Sequence, residues 1–206
     1  MTVTTTHRAV EPSADSTLHF FDCLALAPEP WANGAGETRT IARDPDSGSE
    51  SGWRVSLASL TGAARFSQFA GFDRILLPAG EDTVELHTQD GQLVARRGQP
   101  VQFPGELHVW LAAPTRPTQV VNVMTRRTSH RATLSVVSHS ARIAPASTQL
   151  LIALSGKWSL QSALLHDVSL APLCGIWLEG HDESLDLQTQ EPGALLASIA
   201  IEAVGL

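Results

Sequence analysis

No stretch of this chain keeps a hydrophobic period of 3.6 residues. Apolar positions come instead in short alternating or β-branched runs, each closed by glycine or proline. The clearest is Trp53-Arg54-Val55-Ser56-Leu57-Ala58-Ser59-Leu60. Its period of two puts Trp53, Val55, Leu57 and Ser59 on one face and Arg54, Ser56, Ala58 and Leu60 on the other. Many short strands with near-regular turns leave an all-β sandwich or barrel.

Taken in order, residues 1–17 are polar and rich in Thr and Ser, without the apolar core of a signal peptide, and read as a flexible tail. Residues 18–26 form a first apolar strand, residues 38–43 a second, and residues 44–52 a loop. Residues 74–77 are a short apolar strand. Asp90-Gly91 turns a hairpin between residues 83–87 and 92–95. Residues 120–127 close the first half. In the second half, residues 150–160 repeat the texture of residues 75–85: an apolar strand, a glycine turn, an alternating strand. This weak symmetry predicts two stacked β-barrels of jelly-roll type, residues 18–131 and 132–206.

A net charge of −7 leaves no basic surface for nucleic acid. No apolar run reaches membrane-spanning length. Cys23 and Cys174 lie far apart in apolar settings, as free thiols of a reducing compartment do, so the expected location is cytoplasmic. Lys157 is the sole lysine, so any anion site is built from arginine, which grips a carboxylate with two parallel bonds.

The densest chemistry lies in Pro30-Trp31-Ala32-Asn33-Gly34-Ala35-Gly36-Glu37-Thr38-Arg39. Gly34 and Gly36 admit unusual backbone and close approach. Trp31 offers a flat wall, and Asn33 and Arg39 offer planar donors. The competing reading is a turn feeding a strand, with Trp31 as core. Later in the chain, alternation puts Asn122 on one face with Val120 and Met124, and Arg74 on one face with Leu76.

That ten-residue stretch is followed by Trp53-Arg54-Val55-Ser56, Phe66-Ser67-Gln68-Phe69-Ala70-Gly71-Phe72-Asp73-Arg74, Phe103-Pro104-Gly105 and Asn122-Val123-Met124-Thr125-Arg126-Arg127. The ordered series resembles the HutD/Ves family, bicupin proteins associated with histidine utilisation. The likeness is strongest over residues 28–127. This chain departs from the family at Ala35, where a third glycine is usual, and at Ala70, where proline is common.

The resemblance implies a bicupin fold, a place in histidine utilisation and binding of a small pathway metabolite. Because an arginine inside a barrel needs an anion, the expected ligand is a small carboxylate of histidine breakdown (urocanate, formylglutamate or formate), bound in a regulatory or buffering role. Ligand-binding residues are then expected among Trp31, Asn33, Arg39, Ser56, Phe66, Arg74, Asn122, Met124 and Arg126, all in the first half. A homodimer is compatible with it. Many cupins hold a metal through two histidines one residue apart. None of the eight histidines here is so spaced, and Arg74 stands near the expected place, so neither a metal nor another cofactor is expected. Two alternatives remain open. One is an isomerase or hydrolase with Glu37 or Asp73 as general base. The other is a regulatory protein-interaction module.

Overall fold

The structure is a computed structural model that describes residues 17–45, 52–163, 165–166 and 168–205. The expected tail, up to residue 16, and most of the expected loop at 44–52 lie outside the described residues. Every element among them is a strand, and the strands form four antiparallel sheets.

The first half builds a six-stranded sheet in the order Glu29–Pro30, Gly36–Arg43, Trp53–Leu60, Thr118–Arg126, Phe72–Pro78 and Val101–Pro104. It faces a four-stranded sheet of Ala64–Arg65, Trp110–Leu111, Val84–Thr88 and Gly91–Ala95. The last two form the expected hairpin, with Thr88 opposite Gly91. The second half has a five-stranded sheet, Thr17–Asp22, Cys174–Glu179, Thr148–Ser155, Leu195–Ala203 and His130–Val137. Its small sheet is Ala141–Ile143, Leu185–Gln188, Trp158–Gln161 and Val168–Leu170. The shared texture of residues 75–85 and 150–160 has a common cause. In each half a strand of the large sheet turns into a strand of the small one.

Three apolar cores separate the layers. Leu60, Leu76, Leu86 and Phe103 fill the space between the sheets of the first half. Trp158, Leu160, Ile176 and Leu187 do so in the second. Between them, Val55, Leu57, Ile75 and Val123 of the six-stranded sheet meet Leu150, Ile152, Ala197 and Ile199 of the five-stranded sheet. The two large sheets therefore pack back to back and are buried on both faces. That is why residues 150–154 read as an unbroken apolar run and not as an alternating one.

The first strand departs from a division at residue 131. Thr17–Asp22 pairs with Cys174–Glu179 and so extends the second half's sheet. Phe21 packs into the central core, and its ring lies so close to Gly175 that any Cβ there would collide with it. Residues 24–26, expected to continue that strand, form a turn instead, whose Leu24 and Leu26 carbonyls accept from Arg39 Nη1.

Candidate functional site

Alternation decides which side chains of the six-stranded sheet face the interior of the first half. Ser56, Asn122 and Leu76 lie side by side across its three central strands. The next row is Arg54, Met124 and Arg74. Their neighbours in sequence point the other way, into the central core.

Above this floor lies a cavity of about 320 Å³, at the small end of ligand sites. Trp31, Asn33 and Thr38 line one side, and Arg65, Phe66 and Phe69 another. Arg54, Ser56, Arg74 and Asn122 line the base. The Trp31 wall is fixed by its own turn. Trp31 N–H donates to the Gly36 carbonyl at 2.9 Å, and its indole N–H to Thr38 Oγ1 at 2.8 Å. Gly34 takes φ +68° there, and a Cβ on Gly36 would strike the Ser59 carbonyl. Ala35 is not in the left-handed region, so its methyl is accommodated. Asn33 Oδ1 accepts from Ala35 N–H at 3.0 Å, so half of its amide is spent on the turn.

Arg74 is the focus of the cavity. It is 7% exposed and pairs with no carboxylate among the described residues. Its Nη2 donates to Asn122 Oδ1 at 3.0 Å, and Nη1 makes a long contact to the Ser67 carbonyl at 3.4 Å. Three rings surround the guanidinium, Phe66, Phe103 and Phe69, at 5.0, 5.3 and 5.8 Å. Such faces attract a cation without neutralising it. Arg74 Nε and Ser56 Oγ are buried with no hydrogen-bond partner among the described residues. Burial, and secondly the charge of Arg54, pushes the Arg74 guanidinium down to about 10. It therefore remains charged at neutral pH, and an anion in the cavity would relieve that strain.

Six of the nine expected ligand residues line the cavity: Trp31, Asn33, Ser56, Phe66, Arg74 and Asn122. Three do not. Arg39 follows Thr38 by one residue on the same strand, so it points away and binds Glu37 Oε1 at 2.9 Å. Met124 is buried in the floor, its sulfur accepting from Arg54 Nη2 at 3.5 Å. Arg126 lies two residues further along that face, its guanidinium 4.8 Å from the Phe72 ring centre. Arg54 was not among the nine, yet it shares the Ser56 face by alternation. Arg65 sits in a two-residue strand with no readable pattern.

The carboxylates expected as general bases are elsewhere. Asp73 Oδ1 accepts from Arg127 Nε at 2.7 Å, and Glu37 is held by Arg39. No carboxylate lines the cavity among the described residues, which removes the support for that acid–base reading. A metal is no better served. Among the described residues the lining offers three arginines and no histidine, acid or thiol, a donor set that does not fit a cation.

The sequence model of the HutD family matches residues 24–197. Protein Ves of Cronobacter sakazakii is 34% identical over 186 residues, covering 88% of this chain and 98% of that protein. The solved HutD of Pseudomonas fluorescens SBW25 superposes with a TM-score of 0.78 at 22% identity, over 92% of this chain and 100% of that one. A cupin 2 conserved barrel domain protein of Leptotrichia buccalis shares the fold alone, with a TM-score of 0.61 at 8% identity, over 94% of this chain and 99% of that one. The barrel fold is thus of the cupin kind. No helix among the described residues is long and apolar enough to cross a membrane.

Proposed function

This chain belongs to the HutD family, and from that premise we propose that its first-half cavity binds a small carboxylate metabolite of histidine catabolism without a metal. Urocanate, formylglutamate and formate are the named ligands, and the role is regulation or buffering of the pathway. One observation carries this reading. A buried guanidinium, Arg74, faces a cavity with no acid among the described residues to neutralise it.

Burying an unpaired charge costs several kcal/mol, which a protein sustains where an incoming ligand recovers it. A carboxylate meeting Arg74 would gain charge-assisted hydrogen bonds, with Ser56 Oγ as a further donor. Trp31, Phe66 and Phe69 would shield these bonds from water and strengthen them. Among the described residues the site holds positive charge and hydrogen-bond donors but no carboxylate or histidine base, which suits reversible binding better than chemistry.

Thermal shift and calorimetry with urocanate, formylglutamate and formate test the reading. Formate belongs in the panel as the smallest carboxylate, and the HutD of P. fluorescens SBW25 was solved in a formate condition. At least one acid is expected to raise the melting temperature with concentration, because it binds the native state. The matching neutral amide should not. Equal response to acid and amide, or none to any acid, contradicts the proposal.

A further inference from the structure

We propose that the open edge of the Thr17–Asp22 strand is a homodimer seam, pairing antiparallel with the same strand of a second copy of this chain. This does not rest on the reading of the cavity.

The direction of the backbone groups follows from two hydrogen bonds. Cys23 N–H donates to the Leu173 carbonyl at 2.9 Å, and Gly180 N–H donates to the Ser147 carbonyl at 3.1 Å. The first turns residue 23 toward the Cys174–Glu179 strand. The second turns residue 180 away from the first strand. Groups alternate along a strand, so residues 17, 19 and 21 bond inward to residues 179, 177 and 175. The N–H and C=O groups of Leu18 and Phe20 and the N–H of Asp22 then point outward, where no neighbouring strand among the described residues pairs them, while the Asp22 carbonyl accepts from Ala25 N–H at 3.1 Å.

Those three residues are symmetric about Phe20. A two-fold axis normal to the sheet sets Phe20 opposite Phe20 of the second copy, and Leu18 opposite its Asp22. The Phe20 pair exchanges two hydrogen bonds, each Asp22 N–H donates to the Leu18 carbonyl of the other copy, and side chains keep their faces. The two five-stranded sheets become one.

The side chains match this geometry. Five large apolar residues are exposed among the described ones, and three are Leu18, Phe20 and Leu24, with Phe20 at 60%. In the two-fold register, Leu18 and Phe20 of both copies form one apolar cluster on one face. The edge also lets two copies approach despite their charge of −7. Its outward positions carry one acid, Asp22, whose Oδ1 already accepts from Leu24 N–H at 2.8 Å. The opposite edge of the same sheet, His130–Val137, exposes Arg131, Thr133 and Ser135, the polar guard usual at an edge kept free. The first strand also exposes Thr17, His19 and Asp22, but sets Leu18 and Phe20 exposed between them.

Sedimentation velocity on the full chain, from low to high micromolar concentration, tests the seam. The mass should rise from 22.0 kDa toward twice that value. Phe20→Lys should hold it at the monomer with an unchanged melting temperature. Leu18→Lys is the second variant and decides if Phe20→Lys fails to fold. Amide exchange at Phe20 and Asp22 should slow with concentration in the natural chain. A mass that stays at the monomer overturns the proposal, and so does a folded lysine variant that dimerises as the natural chain does.

Discussion

Arg74 Nη2 donates to Asn122 Oδ1 at 3.0 Å, so the buried cation of the cavity is held by a neutral amide. The amide fixes the guanidinium but leaves its charge uncompensated. Asn122→Asp would supply an anion at that same spot. We expect the melting temperature of the ligand-free protein to hold or rise, and carboxylate affinity to fall by a factor of ten or more. The expected loss reflects roughly 1.5 kcal/mol or more of competition for one charged group. Paired calorimetry and thermal melts check both halves.

The lowered Arg74 pKa gives a pH signature. Its folded value is about 10, below the ordinary guanidinium range. Above about 10 the unfolded chain therefore binds more protons than the native one, and the ligand-free protein gains stability as pH rises there. Below about 10 the penalty is fully present, on the order of 3 kcal/mol. A bound carboxylate favours the charged form, so its affinity should be flat from about pH 7 to 9 and weaken as pH passes about 10. Calorimetric titrations across that range read it. Affinity that strengthens through pH 10 would speak against Arg74 as the anion contact.

Gly36 and Ala35 separate the two parts of the Trp31 turn. Gly36→Ala drives a methyl into the Ser59 carbonyl and against the indole. It should cost about 1–3 kcal/mol of stability and weaken ligand binding, since backbone must shift to admit it. Ala35→Gly removes a methyl from a residue outside the left-handed region, and its cost should stay near or below about 1 kcal/mol. Denaturant melts of the two variants provide the comparison.

The sequence carried the strands and much of the site because both depend on a period of two. Ser56 and Asn122 fall on the cavity face by counting, and the same count offers Arg54. Arg39 fell on the wrong side because one residue of register reverses a strand face. Arg126 has the right face but lies beyond the cavity's end, and nothing local marks where a cavity stops. Residues 65–69 wall the cavity largely as irregular backbone, which has no period to read. The placement of Thr17–Asp22 in the second half's sheet depends on Gly175, more than 150 residues away in sequence.

The donor set makes a prediction about metals. Among the described residues, three arginines line the cavity without a histidine, acid or thiol. Protein purified without chelator should carry iron, manganese, nickel and zinc well below one atom per chain. Added zinc or manganese should not raise its melting temperature. Elemental analysis showing one metal per chain would contradict the account.

The most direct measurement compares Arg74→Ala with the natural chain in two respects, affinity for a pathway carboxylate such as urocanate and melting temperature without ligand. If Arg74 is the anion contact, affinity drops by about 2–4 kcal/mol, the cost of truncating one side of a desolvated charge pair. The ligand-free melting temperature should change little, because losing an unpaired buried charge offsets the lost packing. Arg74→Lys should recover only part of the affinity, since a point charge cannot reproduce the guanidinium fork. Unchanged affinity with a clearly lowered melting temperature would make Arg74 a scaffold residue and contradict the carboxylate site.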